Sequence, residues 1–244
     1  MLGSLHLIFS KAFDTVNHSS ILSKLSSLPV PDQLYNWLVG YFNGHSHTTQ
    51  YNNITSSTAI INASVFQGSA IGPSLFVVNA IDLKPIHSAN YIDKYADDTY
   101  LIVSSALEHT VDAEMNSIEQ WAQRNNLSLN KNKSVELIIY SSDKARKHAP
   151  PVCHLPNIKR ETSIKILGVT IHDNISLISH VSEVTQSAAQ ALYALKLLKS
   201  RGLDPTSLKI VCKATIISRL TYAAPLWWGY ASVDDRLRLQ SIIS

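Results

Sequence analysis

Cysteine is nearly missing: the 244 residues hold two, Cys153 and Cys212. With no CxxC and no Cys/His ligand spacing, the sequence argues against a disulfide scaffold and against a structural zinc. No run of about 18 apolar residues occurs, so no membrane-spanning helix is expected and no membrane partner. Met1–Leu7 is short and lacks the basic start of a secretory leader. An intracellular setting, cytoplasm or nucleus, is therefore expected. Ten histidines are present, but none falls in an HExxH arrangement, and scattered surface or core histidine is the simpler reading. No internal repeat and no low-complexity tract interrupts the chain. What remains is 45% hydrophobic and 16% charged, long enough for one large or two modest domains with a real core.

Net charge is +3, but it is unevenly spread. Residues 1–130 carry 5 Lys and Arg against 10 Asp and Glu, a net −5; residues 131–244 carry 16 against 8, a net +8. An acidic half followed by a basic half suits a protein that gathers cations in one region and follows phosphates with another. An ordinary solvated surface gives the same totals.

Leu5, Leu7 and Phe9 alternate as in a buried strand, although nothing before them in the chain supplies a pairing partner. That strand is expected to leave apolar surface open. "PDQLYNWLVGYFNG" (31–44) reads as a helix, with Pro31 near its start, Leu34, Trp37, Leu38 and Tyr41 on one face, and Gly44 as its stop. Polar alternation over His47–Ser64 suggests a hairpin with a loose connection, and 70–83 a mostly buried helix entered through Gly72-Pro73. Residues 107–126 form a clear amphipathic helix pattern through Val111, Met115, Ile118 and Ala122. A strand is predicted over 134–140, a loop over 141–160, and two short strands broken at Gly168 over 164–171. From Ser179 a single apolar stripe runs through a long helix, and Asp204-Pro205 supplies an N-cap and first-turn pair for the next. The fold class is thus α+β, followed by an all-helical part.

"NYIDKYADDTYLIVSS" (90–105) sets two adjacent carboxylates, Asp97 and Asp98, between two apolar strand-like runs. Aspartate is a good turn former, so a polar hairpin connection explains four residues by itself. Paired carboxylates at a hairpin tip also make a holder for hard divalent cations. Two magnesium ions about 3.5–4 Å apart can clamp the attacking and leaving oxygens of a phosphoryl transfer, with a further carboxylate supplied by another strand.

Tyr95-Ala96-Asp97-Asp98 resembles the metal-binding hairpin of reverse transcriptases. "FQGSAIGP" (66–73) resembles the family's template- and nucleotide-positioning segment, and "FSKAFDTVNHSSILSKL" (9–25) the strand-to-helix segment that normally carries its first catalytic aspartate. "WAQRNNLSLNKNKSVELIIY" (121–140) resembles the segment with Asn130 and Lys133 that trails the palm. "KILGVTI" (165–171) is similar to the primer-gripping turn, and "YAAPLWWGY" (222–230) to the thumb end of non-LTR, LINE-type, jockey-like retrotransposon polymerases. The matches run in family order from about residue 5 to 230; a chance YADD in an unrelated α+β domain would not produce that order.

The resemblance implies a partial polymerase palm over 1–172, an antiparallel sheet with helices on one face, then a helical thumb over 173–244, with the fingers largely missing. It implies RNA-directed DNA polymerase activity by two Mg²⁺ ions on an RNA template, a DNA primer and deoxynucleoside triphosphates. Asp97 and Asp98 would bind magnesium. Phe13 would sit under the incoming sugar as a steric gate. Gln67 and Gly68 would let backbone approach the template–nucleotide pair. Lys133 would protonate the departing pyrophosphate.

The pattern breaks at one place that matters. Ile8 stands where the metal-bridging aspartate belongs, and isoleucine offers no oxygen. Asp14 lies six residues further on and matches a separate, non-bridging aspartate of the family. Phe66 and Ser64 replace a usual proline and glycine. Loss of a bridging ligand is expected to lower turnover on the order of 10²–10⁴-fold, because metal stabilisation is worth several kcal/mol and about 1.4 kcal/mol is tenfold. The alternative function is a catalytically dead relic that at most binds an RNA–DNA duplex through its phosphates, with little sequence preference.

Overall fold

The computed structural model describes residues 2–65, 68–149 and 154–243. They form two compact units, residues 1–138 with 150–160, and 139–149 with 161–244.

In the first unit, β1 (Leu2–Ser10) leads through the one-turn α1 (Ala12–Thr15) into α2 (His18–Ser26) and α3 (Asp32–Phe42). A narrow arm of β2 (Ser46–His47), β3 (Gln50–Tyr51), β4 (Ile54–Thr55) and β5 (Ala59–Ile60) follows, with β3 on β4 and β2 on β5. Asn52 and Asn53 both take positive φ at its tip (46° and 62°), which a tight two-residue hairpin turn requires. Then come α4 (Gly72–Asn79), β6 (Tyr91–Tyr95), β7 (Asp98–Ser104), α5 (Val111–Arg124), β8 (Ser128–Leu129), β9 (Val135–Ile139) and β10 (Lys159–Glu161).

The sheet runs β10-β9-β1-β7-β6, with β8 also on β1. β1, expected to lack a partner, lies in the middle of the sheet, because its neighbours come from far later in the chain. It pairs antiparallel with β7 from Leu2↔Ser104 to Ile8↔Asp98. Its alternation puts Leu5, Leu7 and Phe9, with Leu101 and Val103 of β7, into one core with Ile21, Leu25, Leu75, Phe76, Ile118 and Trp121 of the helices. Burying one such aliphatic side chain contributes about 1.5–3 kcal/mol. The opposite face of β1 carries Ser4, His6 and Ile8.

Polar groups lock the helices in place. Lys24 Nζ of α2 reaches Asp82 Oδ1 at 2.7 Å, Asn125 Oδ1 at 2.6 Å and the Asn79 carbonyl, and lies over the Trp121 ring. Burial pulls the Lys24 ammonium below the usual lysine range, although Asp82 opposes that. Glu114 of α5, 1% exposed, accepts from Ile86 N–H, His87 N–H and Asn90 Nδ2 at 2.8, 2.9 and 2.9 Å.

Two expected details differ. The apolar stripe on α3 is turned: Leu38 and Phe42 are buried, while Leu34 and Trp37 are largely exposed. The stretch 141–160 also holds α6 (Asp143–His148), capped by Ser142 Oγ on Ala145 N–H, as well as β10.

In the second unit, β11 (Ser163–Ile166) and β12 (Val169–His172) form a hairpin. α7 (Ile178–Ser200), α8 (Pro205–Cys212), α9 (Ser218–Thr221), α10 (Ala224–Trp227) and α11 (Val233–Ile243) complete it. Asp204 Oδ1 caps α8 by accepting from Thr206 and Ser207 N–H, both at 2.9 Å. The core gathers Val181, Val184, Ala188 and Leu195 of α7 with Val169, Leu220, Trp227 and Leu239. The hairpin turn takes Leu167 and Gly168 to φ 45° and 86°, and Tyr222 closes over it, its hydroxyl donating to the Leu167 carbonyl at 2.7 Å. No helix among the described residues is long and apolar enough to cross a membrane.

Candidate functional site

The β6–β7 hairpin closes through Ala96-Asp97, with Tyr95 opposite Asp98. Ala96 takes φ 52°, the left-handed sense that a two-residue hairpin loop needs at its first central position. Asp97 is therefore exposed at the tip and Asp98 begins β7, partly exposed.

Residue 8 faces this tip directly. Ile8 pairs with Asp98, and its backbone bonds on the other side: its N–H donates to Ser134 Oγ at 3.1 Å and its carbonyl accepts from Asn130 N–H at 2.8 Å. Ile8↔Asp98 is thus a non-hydrogen-bonded pair, the kind in which Cα atoms come within about 4.5 Å and side chains lie closest. The structure brings 8, 97 and 98 together, with an aliphatic side chain against a carboxylate.

The same face holds His6, one ladder step further from the tip. Its Nε2 lies 3.0 Å from Asp98 Oδ1, and the two side chains are 14% and 38% exposed. The His6 ring stacks on Tyr100, with centroids 4.6 Å apart and planes 15° apart. Burial, and then the charge of Asp98, push the Tyr100 phenol up to about 12, and its hydroxyl has no hydrogen-bond partner among the described residues.

Lys133 stands in the turn that hangs on Ile8. Asn130 accepts the Lys133 N–H through its carbonyl at 3.1 Å and through Oδ1 at 3.2 Å, and Ser134 Oγ donates back to the Asn130 carbonyl at 2.9 Å. The Lys133 side chain is exposed. Phe13 of α1 is half-buried and stacks on Phe76 of α4 at 4.7 Å. Main-chain bonds from Ser64 to Val16 and from Val65 to Phe13 tie α1 to the segment leading to Gly68, which has φ 85°. Gln67 lies outside the described residues. Asp14 sits on α1, past the end of β1.

Hard divalent cations need several oxygen ligands. Asp97 and Asp98 offer carboxylates, but residue 8 offers none and His6 engages one Asp98 oxygen. Among the described residues no group of three or more His, Cys, Asp and Glu is placed to hold a metal ion. The residues present do not fit a two-metal centre.

The family profile for "Reverse transcriptase (RNA-dependent DNA polymerase)" matches residues 5–171. The chain belongs to the reverse transcriptase family. Its similarity is to the enzymes of non-LTR retrotransposons. It is 25% identical over 258 residues to the probable RNA-directed DNA polymerase from transposon X-element of Drosophila melanogaster, covering 98% of this chain and 27% of that protein. It is 26% identical over 197 residues to the RNA-directed DNA polymerase from mobile element jockey of Drosophila funebris, covering 76% of this chain and 21% of that protein. The chain thus spans about a quarter of the curated relatives it matches. Among solved structures, telomerase from Candida tropicalis, in complex with a fragment of telomeric RNA, shares the fold at a TM-score of 0.54 and 11% identity, covering 93% of this chain and 39% of that one. The α+β architecture, an antiparallel-dominated sheet with helices, is a polymerase palm and thumb fold.

No sequence motif singles out His6. The signal was present: Leu5, Leu7 and Phe9 on the core face put His6 and Ile8 together on the other, beside whatever strand carries the carboxylates.

Proposed function

We propose that this chain is the palm and thumb portion of a non-LTR retrotransposon reverse transcriptase, with the palm over residues 1–172 and the thumb over 173–244. Its template-directed nucleotidyl transfer is impaired. The observation that carries the reading is the register Ile8↔Asp98, which supports residue 8 as the missing third carboxylate position of the centre. In an intact centre two magnesium ions would neutralise charge on the transferred phosphate.

The roles of the surrounding groups are those that the family resemblance implies, and their positions are compatible with them. Asp97 and Asp98 are the remaining cation ligands. Lys133, exposed on a turn fixed to the main chain of Ile8, is the candidate acid for the departing pyrophosphate. Phe13 is held by its stack on Phe76, so a rigid ring would meet the incoming sugar. Gly68 at φ 85° lacks the side chain that would keep backbone from the template–nucleotide pair, and Gln67 precedes it. The template is RNA, the primer DNA and the substrates deoxynucleoside triphosphates. The basic residues of 131–244 supply phosphate contacts to the duplex.

The test is primer extension on an RNA template with the parent chain and with Ile8→Asp. The parent is expected to extend on the order of 10²–10⁴-fold more slowly than an intact enzyme of the family. Extension by the parent at rates typical of the family overturns the reading. A parent that binds an RNA–DNA duplex yet does not extend it is the relic form of the same reading, which Ile8 favours.

A further inference from the structure

We infer that the centre carries a second block besides Ile8: His6 clamps Asp98 through one carboxylate oxygen and weakens its coordination of a cation shared with Asp97. This rests on the reading of Asp97 and Asp98 as cation ligands.

Three observations set the clamp. His6 Nε2 is within hydrogen-bond distance of Asp98 Oδ1, at 3.0 Å. The donor is not a free rotor, because the imidazole is 14% exposed and lies flat on Tyr100, so turning away from Asp98 would break the stack. The direction of the bond is also wrong for a shared ion. His6 pairs with Tyr100, two residues along β7 from Asp98, whereas Asp97 lies on the opposite side of Asp98, at the hairpin tip. The bond therefore draws the Asp98 carboxylate back along β1 and away from its neighbour. Ile8, facing Asp98, offers no polar group to pull it the other way. His6 occupies Oδ1 alone, so an ion binding through Oδ1 must displace it, and one binding through the other oxygen meets a carboxylate held back from Asp97; restoring residue 8 alone therefore leaves the centre impaired.

His6→Phe keeps a ring on Tyr100 and removes the donor. The test compares Mn²⁺ affinity, read from loss of the free-ion electron paramagnetic resonance signal, for the full chain carrying Ile8→Asp with and without His6→Phe. The double variant is expected to bind Mn²⁺ about tenfold more tightly, as loss of one charge-assisted hydrogen bond implies. Affinities within twofold of each other overturn the clamp, and so does weaker binding by the double variant, which would make His6 a ligand. Asp97→Asn in the Ile8→Asp chain separates the two ideas. If it leaves Mn²⁺ affinity unmoved, the carboxylates are not the site and the underlying reading fails as well. If it weakens binding while His6→Phe brings no gain, the clamp alone is wrong. Should Ile8→Asp not fold, His6→Phe in the parent chain, titrated with Tb³⁺ by luminescence, serves the same purpose: tighter binding supports the clamp, and unchanged or weaker binding overturns it.

Discussion

Removing Glu114 is expected to loosen the strand that presents the aspartates. Its carboxylate, 1% exposed, accepts from Ile86 N–H, His87 N–H and Asn90 Nδ2, all within 2.9 Å. These donors lie just before β6, an edge strand of the sheet that ends at the Ala96-Asp97 turn. Glu114→Ala leaves the Ile86 and His87 N–H groups without their acceptor and Asn90 Nδ2 with Thr110 Oγ1 alone, around a cavity, at a cost of about 3–5 kcal/mol. Glu114→Gln keeps one acceptor oxygen but points an amide N–H at a donor, at about 1–3 kcal/mol. Either is a large share of a domain stability of about 5–15 kcal/mol. Amide hydrogen exchange over 85–95 is the assay, since local opening reports on this segment without requiring the whole chain to unfold. Loss of about 3 kcal/mol corresponds to more than a hundredfold faster exchange in β6 for Glu114→Ala, with a smaller rise for Glu114→Gln. Exchange within twofold of the parent in both variants would refute the claim that Glu114 holds this loop.

Three further outcomes concern the second unit. Gly168→Ala is expected to destabilise it by about 1–2 kcal/mol, because φ is 86° and the new Cβ would meet Tyr222 Cε1 at 3.3 Å. Tyr222→Phe removes one exposed hydrogen bond and costs about 0.5–1 kcal/mol; thermal unfolding that reverses this order would contradict the packing described. His180 is buried, with neither ring nitrogen hydrogen-bonded among the described residues, and burial holds its pKa below the usual histidine value. The unfolded chain takes up a proton as pH falls through about 6.5 while the folded one resists, so stability present above that pH declines below it, down to the folded pKa. His180→Leu removes this loss, so urea midpoints at pH 7 and pH 5 should lie closer together than in the parent; an unchanged gap would count against it.

Local features were legible in the sequence because local physics sets them. The carboxylate hairpin, the Leu167-Gly168 turn, the Asp204 cap of α8 and the long α7 all depend on residues a few positions apart. Features that depend on distant partners were not. The place of β1 in the sheet depends on strands that begin at residue 98 and beyond, and the buried face of α3 depends on what packs against it, so spacing alone groups Trp37 with Leu38 although only Leu38 is buried. Of the proposed site, the motifs alone point to residues 8, 97 and 98, which the register brings together. The contact of His6 with Asp98 spans 92 positions and appears only once the register is fixed.

The placement of β1 also bears on how the protein is made. During synthesis its apolar face leaves the ribosome long before either flanking strand exists: Asp98 trails His6 by 92 residues, and Ser134 trails Ile8 by 126. At about 5–20 residues per second that is several seconds to half a minute in which a strand with two open edges must be kept from pairing with a stranger. The palm can close only once translation has passed β9, so its assembly is intrinsically slow and a shielding chaperone would raise the yield of native chain.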